Sequence, residues 1–289
     1  MSTTQPPTHC LADPRLADPR LADPRLADPR LADPRLADPR CHAPAARRPG
    51  PLRSARTAAP VGTVLAVPGR GDGPGSLTGL ADRLALDGYE VHVLAGGDPQ
   101  EAASRLDEAA RHSEARRQTG PTVLLGIDSG VLAVLLAARR GISSAGLVLA
   151  GMPGDNAGLA ASGPDEARVR LRDPVQRARL TTDGDLRLGE LLADPLPAAE
   201  LDALFDDSVR VPALVLHGDS DPLCPLPLAS RRALRLRRLR MVSVSQTAHD
   251  VFRDTHRASA IAEVLLFAER LRGGPTAPPQ VRSLVRATW

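Results

Sequence analysis

The chain contains no lysine: all 37 of its basic residues are arginine. With alanine, leucine and proline abundant and isoleucine scarce, this points to a GC-rich coding bias rather than a functional signature. Aromatic residues make up only 2%, which argues against base-stacking platforms and aromatic cages. The three cysteines, Cys10, Cys41 and Cys224, form neither a metal spacing nor a disulfide framework. No apolar run approaches the roughly 20 residues of a membrane span, and the N-terminus lacks the apolar segment of a signal peptide. A cytoplasmic location without a membrane partner is the expectation.

Charge excludes a further class. The net charge is +3, but residues 1–60 hold ten arginines against six aspartates, leaving 27 basic and 28 acidic residues in the remainder. The part able to fold is near neutral, so the high isoelectric point is no argument for nucleic acid.

Residues 11–40 are six perfect copies of Leu-Ala-Asp-Pro-Arg. Proline at every fifth position breaks any helix, and each unit offers one leucine and one alanine to pack, too little for a stacked solenoid. A disordered tail reaching to about residue 60 is expected. The remaining length and a hydrophobic content of 42% suffice for one sizeable core.

Order begins with the apolar strand Val61–Val67, which runs into the glycine-rich loop Pro68–Gly75. A helix over Ser76–Asp87 follows, with Ser76 as its N-cap and Gly88 as its stop. The pattern then predicts a strand at Tyr89–Leu94, a helix at Gln100–Arg117, a strand at Thr122–Gly126, a helix from Val131 and a strand at Ala145–Ala150. Alternation of this kind predicts a parallel, doubly wound α/β sheet. It breaks over Met152–Arg210, a polar, proline-containing stretch that reads as a small helical cap. It resumes with a strand at Pro212–His217, a helix at Leu226–Arg237, a strand at Arg240–Val244 and a helix at Thr255–Leu271. Residues 273–289 read as a flexible tail.

The central stretch is Pro121–Leu136. A buried strand passes into a helix through Gly126-Ile127-Asp128-Ser129-Gly130, and glycines two before and two after Asp128 suit the sharp turn of a nucleophile elbow. Moving the apex to Ser129 would put Ile127 and Val131 at the two small-residue positions, where β-branching crowds the turn. Two further groups fall beyond strand ends, where ligands bind in parallel sheets. These are Asp221 in Gly218-Asp219-Ser220-Asp221-Pro222, with Asp219 competing for its role, and His249 in Ala248-His249-Asp250. A histidine there can act as base, with a carboxylate fixing its tautomer. His92 and His217 read as strand-end residues, Cys224 as a small buried apolar group, and the arginines from Arg231 to Arg240 as a solvated helix face.

From Val61 to Arg272 these pieces, in this order, resemble the α/β-hydrolase fold superfamily. The resemblance implies a hydrolase of a small organic substrate, with Asp128 at the nucleophile position, Asp221 as the acid and His249 as the base. It also implies the backbone N–H groups of Arg70 and Ser129 as oxyanion-hole donors, and it calls for no cofactor and no metal. Two departures stand out: Pro68 replaces the histidine of the family's His-Gly loop, and the elbow apex is aspartate. Aspartate attacking a saturated carbon gives an alkyl-enzyme ester that activated water can hydrolyse, whereas attack on an ester gives a mixed anhydride. The first is the favoured chemistry. Haloalkane dehalogenases have a tryptophan after the nucleophile and epoxide hydrolases two cap tyrosines; here Ser129 follows Asp128, and the one tyrosine, Tyr89, lies outside the cap. Direct water attack with Asp128 as a base or electrostatic group is one alternative, and a non-catalytic binding protein on the same fold is another.

Overall fold

The computed structural model describes residues 59–116, 120–154, 163–180, 182–193 and 196–274. The pentapeptide repeats expected to be disordered, and nearly all of the expected C-terminal tail, lie outside these residues.

Strand β1 (Gly62–Val67) is buried along its whole length, as a central parallel strand covered on both faces must be. The glycine-rich loop that follows makes a 3-10 turn at Pro74–Leu77 and enters α1 (Thr78–Leu86). Ser76 does not cap this helix as the sequence suggests. Pro74, with φ preset for a helical turn, starts the coiling earlier, so Ser76 is buried inside the 3-10 turn and Leu77 holds the cap position without a side-chain bond. Gly88, at φ +89, ends the helix in the left-handed region open to glycine.

Strand β2 (Tyr89–Val93) leads to α2 (Pro99–Ala115), whose first amides are capped by Asp98: its Oδ1 accepts from Gln100 N at 2.9 Å and Glu101 N at 3.0 Å. Then come β3 (Thr122–Ile127), α3 (Ser129–Arg139) and β4 (Gly146–Ala150). Four short helices form the cap: α4 (Gly163–Arg170), α5 (Pro174–Leu180), α6 (Glu190–Ala193) and α7 (Ala198–Leu204). Strand β5 (Ala213–Gly218), α8 (Leu226–Ala233), β6 (Leu239–Val244) and α9 (Arg257–Gly273) complete the described chain.

The six strands form one parallel sheet in the order β2-β1-β3-β4-β5-β6. Alternation along each strand divides the core in two. Val64, Ala66, Val123 and Leu125 pack with α1 and α9 on one face; Leu65, Val67, Leu124 and Leu147 pack with α2, α3 and α8 on the other. Helix α3 is apolar nearly all round because it lies innermost, between the sheet and its neighbours. Each fully buried leucine or valine contributes on the order of 1.5–3 kcal/mol.

The arginines from Arg231 to Arg240 are exposed as expected, with one exception in α8. Arg232 is buried: its Nε donates to Asp202 Oδ1 in α7 at 2.7 Å and its Nη1 to Pro153 O at 2.8 Å, which fastens the end of the cap to the sheet.

Candidate active site

Asp128 sits between β3 and α3 at φ 49°, ψ −119°, a conformation costing a non-glycine residue on the order of 1–3 kcal/mol and held only where surroundings dictate it. Those surroundings are close-packed backbone. A Cβ on Gly126 would lie 2.3 Å from Gly130 O, and one on Gly130 would lie 2.3 Å from Val67 O. Both glycines are therefore required, and the apex of the turn is Asp128 rather than Ser129.

The Asp128 carboxylate does not cap α3. It turns instead to Arg70, which follows β1. Oδ2 accepts from Arg70 N at 3.0 Å and Arg70 Nε at 2.8 Å, and Oδ1 accepts from Arg70 Nη2 at 2.8 Å. The backbone N–H of Arg70, expected as an oxyanion donor, thus holds the apex carboxylate. The guanidinium, which no local pattern in the chain assigns, grips it at both oxygens, a geometry that matches a planar fork to a carboxylate. Ser129 opens α3 beside it and is buried.

His249, fully buried in the loop after β6, lies between two carboxylates. Its Nδ1 is 2.9 Å from Asp221 Oδ2, and its Nε2 is 3.5 Å from Asp128 Oδ1, longer than a hydrogen bond. Asp221 is fixed in turn by Leu223 N at 2.8 Å and Cys224 N at 3.3 Å on its Oδ1. The three predicted residues are therefore together, with Asp221 rather than Asp219 on the histidine; Asp219 Oδ1 accepts from Ser220 Oγ on the surface.

Burial alone would push Asp128 up, but the Arg70 guanidinium and then His249 hold it well below the usual carboxylate range. Burial likewise opposes charge on His249, but Asp221 and Asp128 on either side push its pKa up to about 10. At neutral pH the resting site therefore pairs an ionised Asp128 with a cationic His249. Beneath it lies His217. Its Nδ1 accepts from Met152 N at 3.2 Å and its Nε2 faces Cys224 O at 2.7 Å, so the proton is assigned to Nε2; burial pushes its pKa down. A neutral ring here supports Asp221, 3.4 Å from its Oδ2, without competing for the histidine role.

The sequence also missed a buried ionic cluster that carries the cap. Arg170, 1% exposed at the end of α4, donates through Nε to Glu166 Oε1 at 2.8 Å and through Nη1 to Asp72 Oδ2 at 3.1 Å. Its Nη2 donates to Arg70 O at 2.6 Å. Arg253 Nη2 reaches Asp72 Oδ1 at 2.7 Å and also pairs with Asp250, the neighbour of His249. Main-chain bonds run alongside: Asp250 N to Arg170 O at 2.9 Å, His249 N to Val169 O at 3.3 Å, Arg187 N to Gly71 O at 2.8 Å and Gly73 N to Asp185 O at 2.6 Å. Asp254 closes the arrangement by accepting from the amides of Arg172, Asp173, Ala248 and Thr255 at 2.8–2.9 Å. Among the described residues, no group of three or more His, Cys, Asp or Glu is placed to hold a metal ion.

A cavity of about 590 Å³ lies beside the elbow, lined by Gly69, Arg70, Asp98, Ser129, Arg187 and Leu196 among others. Arg70 is common to this cavity and to the grip on Asp128.

No protein-family model matches the chain, and no curated protein matches it. Solved structures do. A monoacylglycerol lipase from Paleococcus ferrophilus superposes with a TM-score of 0.58 at 17% identity, covering 73% of this chain and 95% of that one. A soluble variant of the monoglyceride lipase of Saccharomyces cerevisiae, in complex with a substrate analogue, gives 0.60 at 14% identity over 77% and 90%. A putative non-heme bromoperoxidase from Mycobacterium tuberculosis gives 0.57 at 16% over 73% and 93%. The chain has the α/β-hydrolase fold.

Proposed function

We propose that the protein is a hydrolase acting on a small organic molecule by displacement at a saturated carbon, with Asp128 as nucleophile, His249 as proton donor and then base, and Asp221 orienting His249. Under this reading the catalytic domain spans residues 61–272, with the cap inserted at about 152–210. The lipases among the structural neighbours favour hydrolysis in general. The aspartate apex favours alkyl rather than acyl chemistry, because a carboxylate attacking an ester would form a mixed anhydride.

The observation that carries the proposal is the position of His249 between two carboxylates. It leaves the resting site with an ionised nucleophile and a proton donor but no base. Direct attack by water on an ester requires a base at the start, and an Asp128 held far below the usual carboxylate range is a weak one. Displacement requires only the ionised carboxylate. An Asp128 oxygen bonds to the carbon while the bond to the leaving group breaks. Where that group is the oxygen of a strained ring, it takes the His249 proton. Esterified Asp128 carries no charge, so the His249 pKa falls; a ring that has not given its proton to the leaving group releases it to solvent, and the neutral ring can then deprotonate water. Water then adds to Cγ of Asp128, with the N–H groups of Arg70 and Ser129 meeting the oxyanion, and the alcohol departs.

The test is the intact mass of His249→Gln after exposure to epoxides, haloalkanes and activated esters, beside the unaltered protein. An adduct mapping to Asp128 is the expected result. An adduct on Ser129 would refute the assignment of the nucleophile, turnover without any adduct would favour direct water attack, and neither adduct nor turnover would favour a binding protein.

A further inference from the structure

An ionised carboxylate offers about four lone-pair positions, and those of Asp128 are accounted for. Oδ2 accepts two N–H groups of Arg70, Oδ1 accepts a third, and the remaining direction of Oδ1 faces His249 Nε2 at 3.5 Å. In this arrangement no lone pair points at an incoming carbon. The backbone amide of Arg70 can stay, since it holds the oxygen that remains a carbonyl in the ester. The guanidinium has to leave.

What can draw it away is set by where it sits. Arg70 lines the cavity beside the elbow, so the space a substrate would occupy is the space into which the guanidinium can turn. A neutral molecule there offers nothing in exchange for a buried, bidentate ion pair, and breaking such a pair without replacement is strongly unfavourable. A carboxylate, phosphonate or sulfonate offers an equivalent fork. The acidic groups of the lining do not compete for this role. Asp98 caps α2, Asp72 is held by Arg170 and Arg253, and Glu190 pairs with Arg187 at 2.9 Å.

We propose that the substrate is a small organic acid whose own anionic group takes over the Arg70 guanidinium from Asp128, thereby uncovering the nucleophile beside the carbon it attacks. This rests on the displacement chemistry above and narrows its substrate class to molecules with the reactive carbon next to the anion. With a 2-halo acid, Asp128 forms the C–O bond, the carbon–halogen bond breaks and halide leaves with the electron pair. With a 2,3-epoxy acid, the ring C–O bond breaks and the alkoxide takes the His249 proton. Arg70 remains on the carboxylate in both cases.

Matched pairs test this: chloroacetate against chloroacetamide, whose halide leaves without a proton, incubated with His249→Gln and read by intact mass, and glycidate against glycidamide, whose ring opening uses the His249 proton, incubated with the unaltered protein and read by consumption of the epoxide. Alkylation of Asp128 by the acid at least about tenfold faster than by the amide is expected, a ratio set by the strength of charge-assisted hydrogen bonds. Equal rates, or faster reaction of the amides, would overturn the proposal while leaving the displacement reading intact. Should none of the four react, the assignment of 2-halo and 2,3-epoxy acids falls, and a second measurement decides the exchange of Arg70 on its own. The unaltered protein is titrated with propionate and with propionamide while the His249 ring signals are followed by NMR. A shift with propionate only supports the exchange; no response to propionate overturns it.

Discussion

The guanidinium of Arg170 donates to the carbonyl oxygen of Arg70 at 2.6 Å, joining the last turn of a cap helix to the loop that grips the elbow. The same side chain answers Glu166 and Asp72, both buried. Burial would lower the pKa of Arg170, but Asp250, Asp72 and Glu166 raise it, so the side chain is charged throughout the accessible pH range. Replacing it by methionine strands buried carboxylates, and a loss of about 3–5 kcal/mol is expected. Urea unfolding of Arg170→Met against the unaltered protein measures this; a change below 1 kcal/mol would show that the cluster is dispensable.

His249 gives stability a defined pH dependence. Its folded pKa of about 10 lies above the ordinary value of 6.5. The stabilisation is therefore complete below about pH 6.5 and is lost progressively as pH rises towards 10. Denaturation midpoints should fall across that window in the unaltered protein, and His249→Gln should flatten the fall. In Asp128→Asn, where one flanking carboxylate is gone, an NMR titration of the His249 ring should give a lower pKa.

Gly130→Ala would bring a methyl group to 2.3 Å from Val67 O. Because the neighbour is backbone of a central strand, no side chain can yield, and a loss of 2 kcal/mol or more is expected, of the order of other forced overpacking. A Tm unchanged within 1 °C would argue against the elbow geometry described here.

Asp254 accepts four backbone amides from three separate segments. Asp254→Ala leaves those N–H groups to find water or remain unpaired. A cost of about 3 kcal/mol is expected from the loss of several hydrogen bonds to a charged acceptor, read as a shift in the urea midpoint.

The chain made its sheet and elbow legible because both depend on local pattern: continuous apolar runs along β1 and β3, glycines at 126 and 130 around an apex, and Asp and His residues placed after strands. Asp221 and His249 were readable by position alone. Arg70 was half legible. Its amide follows from the resemblance, but its guanidinium acts only because the loop folds back over Asp128, and nothing local in Pro68-Gly69-Arg70 encodes that. The Arg170, Asp72 and Arg253 cluster was not legible, since its members are 98 and 181 residues apart along the pairs they form and each sits in a stretch that reads as polar surface. Arg232 was misread for a similar reason: a basic run suggests solvent, and only the packing of α7 against α8 brings Asp202 and Pro153 O to meet it.

The main-chain bonds from Val169 and Arg170 to the histidine loop, and from Asp185 and Arg187 to the arginine loop, bear on traffic through the site. A cap that contributes backbone to both loops has no hinge of its own at these points. Swinging it outward would pull His249 and Arg70 from their stations, so the open form of such a lid would also be a dismantled one. Under the proposed function, reactant and product pass sideways, along the glycine-lined cavity between the β1 and β2 loops, while the roof stays shut.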